Sequence, residues 1–263
     1  MNRILKLILL LLIPLFSFGQ ENDFYDLDNS YHWIFKKMKV KSLKIHTKEY
    51  DDTGNLNEEY IELIQNFDKN GDIIWEKEFY DDSTAAWEVN YKYNDNHQTI
   101  RTEWTWLDEK DQDLTEYEYN SDNELIKSCD YYKSVNSPIF NLEGCQLYHY
   151  KNNRIIKVTD LDDNIESYYR KKGDTILGFS SDKKLKYKYK NGEFVYQKLD
   201  SIIFLYERNK INQILKATKT DHHKNIIEIS TYEYSNGLLT KVITRNKFGV
   251  LRETEEYEYD YNK

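Results

Sequence analysis

Short runs of alternating apolar and polar residues, separated by turn signals, fill most of this chain. Ile100, Thr102, Trp104 and Trp106 place every second side chain on one face, the period of a half-buried strand. From Val40 onward the runs follow one grammar. An aromatic residue and an acid are followed by two or three small polar residues and an apolar one. About ten residues of strand then lead to the next aromatic. Tyr50-Asp51-Asp52 precedes Thr53-Gly54-Asn55-Leu56, Phe67-Asp68 precedes Asn70-Gly71-Asp72-Ile73, and Phe79-Tyr80-Asp81-Asp82 follows. Later copies end in Tyr-x-Tyr: Tyr91 and Tyr93, Tyr117 and Tyr119, Tyr148 and Tyr150, Tyr187 and Tyr189, Tyr232 and Tyr234, Tyr257 and Tyr259. Tyr93 and Tyr119 are 26 residues apart, Tyr119 and Tyr150 31, Tyr150 and Tyr189 39, and Tyr234 and Tyr259 25, with Phe204-Leu205-Tyr206 as a weak copy.

Turn signals recur at Gly54, Gly71, Asn96, Asn123, Asn153, Asn164, Gly173, Gly192, Lys210, Asn225, Gly237 and Gly249. Gly and Asn tolerate the positive φ that tight hairpins need. The pattern predicts an all-β domain over residues 40–263, an extended or curled antiparallel sheet of repeated hairpins with about 14–17 strands. Both rings of each Tyr-x-Tyr lie on one strand face, so successive copies can form aromatic ladders. Leu56, Tyr60, Leu63, Ile64 and Phe67 fall at helical spacing behind Glu58-Glu59. That window lies between two good copies of the repeat turn, so a strand is expected over it. Apolar residues sit on both faces in Ile226-Ile227 and Leu238-Leu239, as in a sheet covered on two sides or broken by bulges. Residues 20–39 do not match the repeat. Asn29-Ser30 can cap a short helix over Tyr31–Lys39, and the segment is read as an N-terminal cap on the array.

Residues 1–19 are expected to be a cleaved signal peptide. Arg3 and Lys6 give a short positive n-region, Leu5 to Phe18 is almost wholly apolar, and Ser17-Phe18-Gly19 supplies small residues before Gln20. No Cys at that point indicates a lipid anchor, and no later apolar run reaches membrane length. The protein is therefore expected in the periplasm or outside the cell. Loss of Arg3 and Lys6 leaves 35 positive against 46 negative side chains, a net −11. That balance argues against nucleic acid and anionic membranes as main partners. Charged residues make up 32% of the chain, but its 24 tyrosines are too regularly placed for disorder.

Candidate chemistry is sparse. Cys129 and Cys145 are expected to form one disulfide, as exported cysteine pairs do, closing a 16-residue loop worth roughly 3 kcal/mol. Lys133–Gly144 between them, with Pro138, reads as a long hairpin loop. His222-His223 lies in a polar run and reads as a solvated turn. Asp160, Asp162, Asn164 and Glu166 alternate like the start of a calcium loop, but Ile165 stands where that loop needs Gly and Lys171 where it needs Glu. A hairpin turn explains them, and turn capping explains Asp51-Asp52 and Asp81-Asp82. No phosphate loop, dinucleotide fingerprint or nucleophile elbow occurs, and no metal or cofactor is expected. Trp75, Trp87, Trp104 and Trp106 cluster in the first half of the array. They suit either a core or a face that stacks on a sugar or peptide.

The Tyr-x-Tyr endings, the pairs Tyr50-Asp51, Phe67-Asp68, Tyr80-Asp81 and Tyr259-Asp260, and the Asn-Gly-apolar turns resemble the YD repeat of the RHS family. The resemblance runs from Val40 to the C-terminus. It implies a long antiparallel sheet curling into a spiral or shell, which in large members encloses a toxin. Here the last Tyr-x-Tyr lies four residues before Lys263, so the expectation is a short exported member without a toxin domain. The resemblance carries over no activity and no functional residue. The expected function is a non-catalytic structural or binding module whose partner is a protein or glycan. The alternatives are an accessory or immunity protein to a larger repeat toxin, or a hydrolase using its carboxylates. Denatured exported protein treated with an alkylating agent is expected to gain no mass before reduction and two adducts after it. Two adducts without reduction would exclude the disulfide.

Overall fold

The computed structural model describes residues 29–152, 155–172, 175–190, 193–199, 202–210 and 213–261. The signal-peptide segment and the expected turn positions Asn153, Gly173 and Gly192 lie outside the described residues. One helix, α1 (Asn29–Met38), precedes the strands β1 (Val40–Tyr50), β2 (Leu56–Phe67), β3 (Ile73–Phe79), β4 (Ala85–Tyr93), β5 (Thr99–Trp106) and β6 (Gln112–Tyr119). Next come β7 (Leu125–Lys133), β8 (Asn141–Tyr150), β9 (Ile155–Thr159), β10 (Ile165–Lys172), β11 (Thr175–Ser180) and β12 (Leu185–Lys190). The chain continues through β13 (Glu193–Leu199), β14 (Ile202–Arg208), β15 (Ile214–Asp221), β16 (Ile226–Ser235), β17 (Leu238–Asn246) and β18 (Leu251–Tyr261). The segment of ambiguous period is strand β2.

Every strand pairs antiparallel with its sequence neighbours, and β18 returns to pair with β1 from Val40↔Tyr261 to Glu49↔Glu253. The eighteen strands thus form a closed up-and-down barrel. This corrects the expectation of an extended or curled sheet of about 14–17 strands. A sheet of this length left open would expose two long unpaired edges, and closure removes both.

The turns follow from the aromatic-acid grammar. Asp68 donates its N–H to the Asp72 carbonyl (2.8 Å) and accepts the Gly71 N–H on its own carbonyl (3.1 Å). Its side-chain oxygen accepts the N–H groups of Asn70 (2.7 Å) and Asp72 (3.0 Å). Gly71, at φ 88°, supplies the left-handed residue that closes a three-residue hairpin loop with a bulge. The same bonds recur at Asp51, Asn94, Asn120, Asp160, Asp221 and Asn246. Asp160 is thereby a turn cap. Hydrogen bonds from the Thr53 hydroxyl and then the Asn55 N–H hold the Asp51 carboxyl well below the usual carboxylate range.

The two faces of the barrel differ sharply. Many outward side chains are charged and paired across strands, as in Lys48–Glu59 (3.3 Å), Lys127–Glu118 (2.9 Å) and Lys241–Glu256 (2.9 Å). A bilayer-spanning barrel presents an apolar band there instead. No described helix is long and apolar enough to cross a membrane.

Inward, one tyrosine from each of eight successive even strands forms a ring: Tyr91, Tyr117, Tyr148, Tyr169, Tyr187, Tyr206, Tyr232 and Tyr257. The register advances by two residues per pair of strands. Tyr91 faces Thr102, Thr102 faces Thr115, and Tyr117 stands two residues further on. Burial pushes the hydroxyls of Tyr148 and Tyr206 up to about 12. The second tyrosine of a Tyr-x-Tyr reaches back to the preceding strand. Tyr93 donates to the Ile73 carbonyl (2.8 Å), Tyr119 to Thr99 (2.9 Å), Tyr234 to Ile214 (3.0 Å) and Tyr259 to Leu239 (2.8 Å). At this end of the barrel α1 lays Ile34, Phe35 and Met38 on Leu43, Leu63, Phe67 and Leu238. The Phe35 and Phe67 rings lie 4.6 Å apart.

Tyr168-Tyr169 is the copy hidden in the 39-residue gap between Tyr150 and Tyr189. Between Tyr169 and Tyr187 the register does not advance, and Gly178 stands directly between them. A methyl group there would meet Tyr169 Cε1 at 3.0 Å and Tyr187 Cδ2 at 3.1 Å. Gly178→Ala is therefore expected to lower stability by about 1–3 kcal/mol. Gly144→Ala, where an added methyl meets nothing within 4 Å, is expected to be neutral. Equal urea midpoints for the two variants would refute this account of the ring.

Candidate binding site

The end of the barrel opposite α1 holds the tryptophans. β4 leaves that end and β5 returns to it, which pairs Trp87 with Trp106 and Val89 with Trp104 on the inner face. Trp87 is 3% exposed and meets Trp104 on the diagonal, with ring centroids 4.7 Å apart at 51°. Trp104 and Trp106 are half-buried above it. Trp106 donates its Nε1–H to Asp113 Oδ2 at 2.7 Å. The indole N–H of Trp87 is buried without an acceptor. A buried donor left unpaired costs roughly 1–3 kcal/mol. Trp75 faces outward on β3, paired with Asn66, so the structure brings together three of the four tryptophans.

Carboxylates flank this cluster on the inner wall. Glu78 lies opposite Trp87, and Asp113 opposite Trp104. Deeper, Glu76 is 1% exposed and accepts hydrogen bonds from Gln65 Nε2 (2.7 Å) and the Tyr91 hydroxyl (2.9 Å). Burial raises the Glu76 carboxyl above its ordinary range despite both donors. Burial, reinforced by Glu76 itself, likewise drives the Tyr91 hydroxyl well above its own. The next carboxylates around the wall are also engaged. Glu62 accepts from the Thr47 hydroxyl, Glu49 from Tyr60 (3.0 Å) and Glu255 from Tyr257 (2.6 Å). Glu76, Glu49 and Glu255 thus hold tyrosine hydroxyls of the lining, and Glu62 a threonine hydroxyl.

Elsewhere, Cys129 and Cys145 face each other across β7 and β8 on the outer face and are joined by a disulfide. The loop they bracket is Ser134 to Phe140, shorter than the Lys133–Gly144 segment expected from the sequence, because β7 and β8 extend beyond the bridge. His222 and His223 lie in the β15–β16 turn, with ring centroids 3.7 Å apart. Among the described residues no three acid, His or Cys side chains are grouped to hold a metal ion.

No family model matches the chain, and no curated protein does. Among solved structures it is similar to a porin-like protein from Bacteroides uniformis at 11% identity, covering 85% of this chain and 97% of that one, with a TM-score of 0.42. It is also similar to a DUF1329 family protein from Desulfovibrio piger at 9% identity, covering 91% and 92%, with a TM-score of 0.30. A third is a LolA superfamily protein from Nitrosomonas europaea at 8% identity, covering 90% and 93%, with a TM-score of 0.29. These findings correct the resemblance to the YD repeat of the RHS family. No family model matches, and the sheet closes on itself instead of spiralling.

The buried carboxyl supplies a pH test. A folded pKa raised above the unfolded value of about 4.3 gives stability that is present at low pH and is lost as pH rises through the folded value. Glu76→Gln cannot ionise, so its stability relative to the parent is expected to rise between about pH 4 and pH 8. A difference in urea midpoint that stays constant over that range would contradict the raised pKa.

Proposed function

We propose that the protein is an exported, non-catalytic binding module of the cell envelope, and that it holds a glycan at the tryptophan-lined end of the barrel. The observation that carries this reading is the Trp87 indole N–H, buried without an acceptor beneath two half-buried tryptophans. A sugar matches this wall in three ways. Its C–H faces pack on the rings of Trp104 and Trp106. Its hydroxyl oxygens can accept from Trp87 once the cluster opens, and its hydroxyl protons suit Asp113 and Glu78. Barrel ends are common places for such sites, with a few polar groups fixing an otherwise aromatic pocket. Helix α1 packs at the other end, which leaves the tryptophan end as the route in. The reading also draws on the signal-peptide pattern of residues 1–19 for export.

Tryptophan fluorescence of the mature protein, titrated with neutral hexasaccharides of glucose, N-acetylglucosamine and mannose, tests the reading. At least one is expected to shift the emission, and the shift is expected to vanish in Trp104→Ala/Trp106→Ala while Trp75→Ala keeps it. Absence of any response, or equal binding by the double variant, would overturn the site.

A further inference from the structure

The outward face of β9 to β14 breaks the pattern of paired charges. Lys157, Arg170, Lys172, Lys186, Lys188 and Lys198 all point outward there, and among the described residues no carboxylate pairs with any of them. Arg170 instead lies over the stacked rings of Tyr168 and Phe179, 5.4 and 6.0 Å from their centroids. Lys188 lies 5.0 Å over Tyr196. Cross-strand register sets these groups in a row. Arg170 faces Leu177, Leu177 faces Lys188, Lys188 faces Tyr196 and Tyr196 faces Leu205. Leu205 is 43% exposed, and Leu215 on the next strand is 45% exposed. At the borders of this face, Asp182 is paired with Lys184 and Glu207 with Lys216, and Glu166 lies at the far end of β10. Elsewhere on the outward surface many cations are neutralised locally, as in Lys92–Glu103 and Arg101–Glu116, although Lys77 and Lys133 also lie over rings.

We propose that this face docks the protein on a membrane surface rich in anionic phospholipid. Alternating cations and exposed apolar side chains are what an interfacial site needs. The ammonium and guanidinium groups meet headgroup phosphates while the leucines and ring edges enter the headgroup layer. A linear polyanion would use the cations but gives the exposed leucines no role. The chain's net charge of −9 does not oppose docking, because charges more than about a Debye length away, roughly 8–10 Å, are screened. The inference is independent of the glycan reading, since the residues lie on different strands and on the opposite face of the sheet.

Co-sedimentation of the mature protein with vesicles tests it, comparing pure phosphatidylcholine with a phosphatidylglycerol–phosphatidylcholine mixture. Binding is expected only to the mixture, falling steeply with added salt. Arg170→Ala/Lys186→Ala/Lys188→Ala is expected to weaken it at least tenfold, at about a few-fold per cation near an anionic surface. Leu205→Ser should weaken it further, and Lys92→Ala/Lys127→Ala on the paired surface should leave it unchanged. Far-UV circular dichroism and the urea midpoint report that each variant is folded. Failure to bind the mixture, equal binding by the triple variant, or displacement from vesicles by a single-stranded oligonucleotide or polygalacturonate at matched charge would each overturn the proposal.

Discussion

The pairing of β18 with β1 is the constraint on which the rest depends. A meander of eighteen strands has two edges, and each edge strand carries a row of unpaired N–H and C=O groups open to other chains. The β18–β1 ladder satisfies both rows at once. Closure also decides which side of each strand is inside, so one alternation of side chains must work around the whole ring. A register slip of one residue in any hairpin would turn that strand's tyrosine outward and its lysines inward. The bulged turns prevent such slips. Each Asp or Asn side chain ties down two N–H groups of its own loop, which fixes where the next strand starts.

Tyrosine suits this interior because it is both apolar and a donor. The ring tyrosines bury their aromatic faces, and several spend their hydroxyls on inner-wall acids or amides, as Tyr91 does on Glu76 and Tyr148 on Gln146. The tyrosine two residues further along points the same way, and its hydroxyl reaches a backbone carbonyl near the start of the preceding strand. That carbonyl lies beside the turn, where the ladder is broken by a bulge. The Tyr-x-Tyr spacing therefore couples the middle of each inward face to its end. Phenylalanine could fill the first position by volume, but at the second it would leave a carbonyl without its donor.

Much of this was legible in the sequence because it is local. The aromatic-acid turns, the strand over Leu56–Phe67 and the hairpin between the cysteines all follow from residues within one repeat. What was not legible is non-local, or lacks its usual marker. Closure depends on residues some two hundred positions apart, such as Leu43 and Tyr259. Three turns place Ser83, Lys110 and Lys183 at positive φ, where no Gly or Asn announces them. The Tyr168-Tyr169 copy lacks the Tyr-x-Tyr form, and Gly178, which makes room beside it, reads in the sequence as an ordinary strand interruption. The tryptophans could be grouped by number but not sorted by face. Register through two bulged hairpins sends Trp75 outward and the other three inward.

Net charge is a coarse guide for a related reason. It sums over a surface whose charges are segregated by face and by sector. Most outward lysines and arginines stand opposite a glutamate on the adjacent strand and contribute little field beyond that pair. Arg170 and Lys188 have apolar or aromatic cross-strand partners instead, Leu177 for both and Tyr196 for Lys188 as well. The acids that make the whole chain negative sit largely in the turns, on the paired sectors and on the inner wall, where hydrogen bonds to tyrosine, threonine and backbone N–H groups occupy them. The geometry of a closed sheet then separates two surfaces. An outward sector faces perpendicular to the barrel axis, whereas the tryptophan cluster faces along it. Something resting against β9 to β14 would leave the tryptophan end unobstructed, so occupation of one surface does not compete sterically with occupation of the other.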